Sequence, residues 1–587
     1  MGEYGDHESN DDPLHVLRHS TAHLLAAAVT ELYPDAKYGI GPPVQDGFYY
    51  DFEFSKPVSE SELGAIESRM RRIAQEDRPF VQETLSRAAA VEEFRKRGQD
   101  YKLELIADKV EGDDVSVYRT GNFLDLCRGP HVRSTRDLKA FKLLRVAGAY
   151  WRGDEKKPQL TRIYGTAWES QKQLDDYMKF LEEAEKRDHK KLGKELKLFM
   201  VDDRVGPGLP LWLPDGATIR RELERFIVDE ELARGYLHVR TPEVARLELF
   251  KQSGHAQLYS EYMYPPMKFE DGEELELRPV NCPHHIVIYQ SDLRSYRELP
   301  MRIAEIGNNW RYERSGTLLG LNRVRAFALN DAHIFCTPEQ LMGEVKGAIE
   351  LALYFSNVLG IEDFSYQVST RDDVKDKWLG SEERWQEAQA SLMEALESMG
   401  QPYKIGVGEA AFYGPKIDFQ VKDAHRREFT NSTVQVDFQL PERFDLEYVA
   451  EDGSRQRPIM VHRGAAGSME RLFSYLIERY AGAFPTWLHP VQVIVIPITD
   501  AQIDYARKVA DRLRSLRLRV EVDARPERMQ RKIRDGQARK VPYMAIVGAR
   551  EAETEHVNIR DRSGTQVDSS LESFASMVAT EVAEKRR

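Results

Sequence analysis

The sequence contains no run of about eighteen apolar residues, so no helix in it is expected to cross a membrane. Cysteine is scarce: Cys127, Cys282 and Cys336 are the only three in 587 residues. They are far apart and odd in number, which excludes a disulfide framework and suits a reducing, cytoplasmic compartment. The opening MGEYGDHESNDDPLH is acidic and polar, without the basic start and apolar stretch of a secretory leader. Neither GxxxxGKS/T nor a credible GxGxxG occurs, so any nucleotide chemistry must use another scaffold. Positive charge is in deficit, with 84 Lys and Arg against 97 Asp and Glu. The net charge of −13 excludes a uniformly basic nucleic-acid binder but leaves room for a local basic face. There are no internal repeats and no low-complexity tracts.

What is present is enough chain for about three to five domains. Residues 1–12 read as disordered. Leu14, Leu17, Leu24 and Leu25 recur at helical spacing. Residues 38–54, rich in Gly, Pro and aromatics, read as strands and turns, and residues 59–75 and 88–97 as helices. Residues 169–197 are charged and nearly free of Gly and Pro, which suits a linker helix. A second globular unit over 198–488 opens with the turn-rich GPGLPLWLPDGAT, followed by an amphipathic helix over 219–233. From residue 489 the pattern changes. VQVIVIPI reads as a buried strand, residues 503–516 and 527–539 as helices, and residues 519–522 and 543–547 as strands. Alternating strands and helices predict a small α/β domain with a mainly parallel sheet. This segment holds the local basic face: from Arg507 to Lys540 there are 13 Lys and Arg against 5 Asp and Glu.

Two groups of residues stand out chemically. Cys282 in NCPHH, His333 in NDAHIF and His462 in VHRGAAGSMER are possible zinc ligands. Three Cys or His ligands with one open position form a catalytic zinc pattern, although each residue alone is equally at home in a core. Arg311 in NWRYERSG and Arg471 in GSMERLF are candidate phosphate grips, because a guanidinium binds phosphate in two-pronged fashion. The second group is N-terminal. His19 and His23 in HSTAH share a helix face at i and i+4, and Cys127 and His131 in CRGPH are also four apart. Such a set can bind a metal or hold a water for hydrolysis.

These strings carry a resemblance. RYERSG and GSMERLF resemble the second and third signature motifs of class II aminoacyl-tRNA synthetases, and the segment ending at Pro242 resembles the first. NCP, RVR, NDAHIFCT, AFYGPKIDF, TVQVDF and VHR are similar to the threonyl enzymes of that class, in order along nearly the whole chain. HSTAH, CRGPH, AGAYWRGD and RIYGTAWES resemble the editing domain of the same enzymes, and the last hundred or so residues their anticodon-binding domain. The resemblance implies an α+β multidomain protein: an editing domain (13–168), a linker helix (169–197), a class II antiparallel-sheet catalytic domain (198–488) and a C-terminal α/β anticodon-binding domain (489–587). It implies a form without the small ubiquitin-like domain that often precedes the editing domain.

The implied roles follow residue by residue. Cys282, His333 and His462 would bind one zinc ion. Asp331 would hold the amine or hydroxyl of L-threonine. Arg311, Glu313, Arg323 and Arg471 would bind ATP with its magnesium, Arg311 on the α-phosphate and Glu313 on adenine. Tyr413, Lys416 and Gln435 would line the substrate pocket. His19, His23, Cys127, His131 and Asp125 would hydrolyse mischarged seryl-tRNA(Thr), and Glu551 and Arg560 would read anticodon bases of tRNA(Thr). A homodimer is implied, without DNA or membrane as partners. The chain departs from the family's strings at His284, Leu329, Ala256, Pro526 and the run Thr430, Asn431, Ser432, Thr433. Two other readings therefore stay open: a specialised paralogue whose pocket tolerates an inhibitor or takes a modified amino acid, and a non-catalytic sensor of tRNA or amino acid.

Overall fold

The computed structural model describes residues 12–154, 156–374 and 377–587. The disorder expected for the first dozen residues falls, apart from Asp12, outside them. The chain divides after Glu182 into two compact units.

In the first unit the helix Pro13–Leu32 starts where Pro13 needs no N–H partner, after an extended Asp12. Its middle, from Ser20 to Val29, is buried throughout. It packs with the helix Leu63–Gln75 against an antiparallel sheet in the order Lys37–Tyr38, Gly47–Glu53, Gln159–Trp168, Ala140–Tyr150. The aromatics of the Gly/Pro-rich stretch form its core: Phe48, Tyr50 and Phe52 are fully buried on the strand Gly47–Glu53. A second antiparallel sheet, Val81–Ser86, Asp114–Thr120 and Phe123–Leu126, carries the helices Arg87–Lys96 and Asp100–Lys109.

The expected linker helix is two helices, Gln171–Arg187 and His189–Glu195. Asp188 breaks them because its carboxylate accepts from the N–H groups of Lys190 (2.8 Å) and Lys191 (3.3 Å), which caps the second. The boundary between the units lies inside the first helix.

The second unit is built on eight strands. Their order is Leu237–His238, Met301–Trp310, Ala326–Cys336, Ile459–Gly464, Glu428–Asp437, Lys416–Lys422, Phe364–Thr370 and Tyr403–Val407. All neighbours are antiparallel except at the two edges, where the outermost strands pair in parallel. Period-2 alternation divides each strand between two faces. Ala328, Ala332 and Ile334, with Val434, Val436, Ile417, Phe419 and Val461, join one core with the helices Pro214–Ala233, Leu341–Leu359, Glu382–Ser398 and Met469–Arg479. The intervening residues face a cavity, which is closed at one end by the helix Cys282–Tyr289 packed on Phe335 and Met460. The helix expected over 219–233 begins earlier, at Pro214, again with proline in its first turn.

The C-terminal sheet is mixed rather than mainly parallel. Val520–Val522, Val493–Pro497 and Tyr543–Val547 pair in parallel, and His556–Asp561 and Gln566–Ser570 add an antiparallel hairpin. The last strand reads QVDSS and is largely exposed, so it gives no hydrophobic pattern to find in the sequence.

Candidate active site

A cavity of about 330 Å³ opens on the eight-stranded sheet. Its lining includes Cys282, Arg311, Glu313, Arg323, Asp331, His333, Tyr413, Lys416, Gln435, His462 and Arg471, so every central residue singled out from the sequence meets there. Strand register explains the meeting. His333 pairs with His462, His462 with Gln435, and Gln435 with Lys416. Four side chains from four adjacent strands thus form one row across the sheet on the same face.

Cys282 reaches the row from the first residue of its helix. Ligand atoms of Cys282, His333 and His462 all lie within 4.8 Å of one another, and all three residues are buried. Each histidine has its other ring nitrogen engaged. His462 Nε2 donates to Asp437 Oδ2 (2.8 Å). His333 Nδ1 contacts His285 Nδ1 (2.8 Å), and His285 Nε2 lies 3.4 Å from Glu305. Burial, with His462 and His285 nearby, holds the His333 pKa well below its usual value, so the ring is neutral. Burial and the carboxylates Asp331 and Asp437 push the Cys282 thiol far up. A lone thiolate is therefore unfavourable there, and a dication is what would stabilise it. A neutral His333 ring, a second imidazole with an oriented outer partner, and a thiol close by fit a zinc site. Asp331 accepts from Asn281 Nδ2 (2.9 Å), its pKa raised by burial. Tyr413 stacks on His462 (4.8 Å between centroids) and donates to Gln435 Oε1 (2.8 Å), and Lys416 pairs with Asp418 (2.6 Å).

The other end of the cavity is cationic. Arg311 follows the strand Met301–Trp310 and lies over the Phe327 ring, its Cζ 4.8 Å from the centroid. Arg471 is in the first turn of the helix Met469–Arg479, capped by Ser468. Its guanidinium donates to the carbonyls of Asn322 (2.9 Å) and Thr430 (3.3 Å). Among the described residues no carboxylate pairs with Arg311 or Arg471. Burial, with Arg311 and Arg323 close by, pulls the Arg471 pKa down to about 10. Cations converging without a counterion make an anion site. Arg323 is not free in this way, because it pairs with Glu313 (2.8 Å).

Sequence reasoning gave no role to Asp437, His285, Glu305 or Asn281. The only available signals were an acid ending the valine-rich TVQVDF run and a second histidine in NCPHH. Of the departures, Leu329, Thr430, Asn431 and Thr433 line the cavity, whereas His284 is buried near Phe250 (6.2 Å between centroids).

The N-terminal group also assembles. Ligand atoms of His19, His23, Cys127 and His131 all lie within 4.8 Å of one another. The two histidines of HSTAH share a face of the helix Pro13–Leu32, whereas Cys127 and His131 sit on the loop after Phe123–Leu126, with a cis Gly129–Pro130 bond between them. Cys127 Sγ is 3.4 Å from His19 Nε2 and 3.3 Å from His131 Nε2. The opposite nitrogens are committed. His19 Nδ1 donates to the Pro130 carbonyl (3.3 Å), and His131 Nδ1 to Ser20 Oγ (3.0 Å), whose own proton goes to Val16 O (2.8 Å). His23 Nε2 faces Asp125 (3.3 Å), which is held by Tyr50 (2.5 Å) and the buried Lys102. Burial lowers the pKa of all three histidines and raises the Cys127 thiol to about 12. The cluster thus presents neutral imidazole lone pairs beside a protonated thiol, a set suited to holding water rather than to nucleophilic attack by sulfur.

Glu551 and Arg560 lie in the C-terminal module. Glu551 accepts from the Gly548 N–H (2.9 Å), capping its own short helix, and Arg560 lies on the strand His556–Asp561. Much of the basic excess is neutralised in pairs such as Arg512–Glu572 and Arg539–Glu521, while Arg517, Arg528 and Arg534 are exposed.

Known proteins resemble this chain over nearly its whole length. The chain is 51% identical over 579 residues to a threonine–tRNA ligase of Geobacillus kaustophilus, covering 98% of this chain and 88% of that one. It is 52% identical over 586 residues to a threonine–tRNA ligase of Streptococcus agalactiae, covering 99% and 90%. The chain belongs to the threonine–tRNA ligase family. The family model "tRNA synthetase class II core domain (G, H, P, S and T)" matches residues 267–480, which contain every central site residue named above. "Threonyl and Alanyl tRNA synthetase second additional domain" matches 115–164, which include Asp125, Cys127 and His131. "Anticodon binding domain" matches 492–581, which include Glu551 and Arg560. Among solved structures, the RNA binding domain of threonyl-tRNA synthetase from Cryptosporidium parvum is 38% identical with a TM-score of 0.64, covering 67% of this chain and 98% of that one.

Proposed function

We propose a division of labour for an enzyme that activates L-threonine with ATP, transfers it to tRNA(Thr), and hydrolyses mischarged seryl-tRNA(Thr). The observation that carries it is the row His333, His462, Gln435, Lys416 lying in one cavity with Arg311 and Arg471, neither of which meets a carboxylate among the described residues. Cys282, His333 and His462 would hold zinc. Bound there, zinc supplies a Lewis-acid position that an amine and a hydroxyl satisfy and the valine methyl does not. Asp331 holds the substrate amine or hydroxyl, with Asn281 fixing its carboxylate. Tyr413, Gln435 and Lys416 wall the pocket.

Arg311 takes the α-phosphate, where charge builds as the threonine carboxylate attacks, and Arg471 takes the far phosphates. Glu313, oriented by Arg323, reads the adenine amino group, and magnesium accompanies ATP. Serine keeps both polar groups and lacks one methyl, worth only about 1–3 kcal/mol of discrimination. The N-terminal cluster supplies the second sieve: His19, His23, Cys127 and His131 together hold and orient a water, with Asp125 orienting His23. Glu551 and Arg560 contact the anticodon, whose unstacked bases can be read on their edges. The working form is a cytoplasmic homodimer. The paralogue and sensor readings find no support in the relatives.

The experiment is ATP–pyrophosphate exchange with threonine, serine and valine in turn, with zinc measured on the same sample. Exchange with threonine, weaker with serine and absent with valine, together with about one zinc per chain, is expected. Absence of exchange from folded, zinc-loaded protein would overturn the reading.

A further inference from the structure

A second set of polar groups lies behind the cavity, where the sheet should be wholly apolar. Asn330 and Arg463 point away from the row because each is one residue out of phase with it, beside Asp331 and His462 respectively. Both are completely buried, and so is Glu231, near the end of the helix Pro214–Ala233. Glu231 Oε1 accepts from Asn330 Nδ2 (2.8 Å) and pairs with Arg463 Nη2 (2.5 Å). Its Oε2 faces His238 Nε2 (2.7 Å). Arg463 Nη1 donates to Asn330 Oδ1 (3.3 Å), which also accepts from the Ala466 N–H (3.1 Å), and the guanidinium lies over the Tyr236 ring (4.3 Å). One carboxylate thus gathers the two residues that flank the threonine-directed groups.

A buried ion pair is weak evidence for stability, since desolvation offsets most of the attraction. A shared network of hydrogen bonds and an ion pair constrains the side chains that make it, and this one stands where geometry decides binding. Strands alternate, so fixing Asn330 and Arg463 on one face sets the directions of Asp331 and His462 on the other. The ATP-directed Arg471 is anchored separately, by the Asn322 and Thr430 carbonyls.

We propose that Glu231 is a positioning residue for the threonine pocket, acting through Asn330 and Arg463 on Asp331 and His462. This rests on the reading of that pocket as the threonine site, and threonine-dependent exchange by the unmodified enzyme tests that reading first. The test uses full-length Glu231→Gln, which keeps the shape and removes the charge, in ATP–pyrophosphate exchange. The expected result is a KM for threonine raised about tenfold, with the KM for ATP within about twofold, since misplacing a binding group by about 1 Å can cost up to 10²-fold. Glu231→Asp should recover part of the loss. Unchanged KM values with a lowered melting temperature would make Glu231 merely structural and overturn the proposal, as would equal rises for both substrates. If Glu231→Gln does not fold, Asn330→Ala carries the same test: it should show the same threonine-selective rise, and an unchanged threonine KM would refute it.

Discussion

Asp437→Asn replaces one atom and should cost the protein most of its metal affinity. Asp437 is completely buried and does two things. Oδ1 accepts from the N–H groups of Gln439 (2.7 Å) and Leu440 (3.0 Å), and Oδ2 accepts from His462 Nε2 (2.8 Å). Asparagine keeps the first role with its remaining oxygen, so the backbone turn survives. Its NH₂ group then faces the imidazole. Either two donors oppose each other, or the ring proton moves to Nδ1, the nitrogen whose lone pair the metal needs. A hydrogen bond to a charged group is worth about 1.5–3 kcal/mol. Changes in the outer shell of a metal site typically cost about 10–100-fold in affinity, or about 1.4–2.8 kcal/mol. The two ranges agree. The assay is zinc competition against a chromophoric chelator, run beside threonine-dependent exchange. Zinc affinity equal to that of the unmodified protein, at unchanged melting temperature, would refute the assignment of His462 as a ligand oriented by Asp437.

Further outcomes follow from the same geometry. Arg471→Ala should lower kcat/KM for exchange by about 10²–10³, as loss of a preorganised charge-stabilising group does, with Arg471→Lys in between; steady-state kinetics with varied ATP check this. Cys127→Ala should abolish hydrolysis of seryl-tRNA(Thr) while leaving threonine-dependent exchange and zinc content intact, whereas Cys282→Ala should lose the zinc; deacylation assays and metal analysis separate the two sites. Burial and Arg562 hold the His489 pKa down at about 3, against 6.5 for the exposed ring. The unfolded chain therefore binds this proton more tightly, and the stability it contributes is complete above about pH 6.5 and lost as pH falls towards 3, by up to about 1.4 kcal/mol per unit. Denaturant melts should show a shallower acid slope for His489→Gln than for the unmodified protein.

The chemistry-bearing residues were legible because they are rare or sit in distinctive strings. With only three cysteines in the chain, Cys127 and Cys282 could hardly be overlooked. Helical spacing placed His19 and His23 on one face, as found. What joins these residues was not legible. His333 and His462 meet because two strands distant in sequence pair in one register, and pairing is a non-local property. Asp437, His285 and Glu231 act through neighbours, and a buried acid has no sequence mark that separates it from an exposed one. The C-terminal hairpin escaped because its outer strand is polar and solvated.

The row across the sheet has a consequence for how this chain can vary. His333, His462, Gln435 and Lys416 stay aligned only while four strands keep step. Inserting or deleting one residue inside any of them would turn its functional side chain into the apolar core and bring a core residue into the cavity. The loops between those strands carry no such phase, so changes in length among relatives should gather there, and the strands should tolerate substitution far better than insertion.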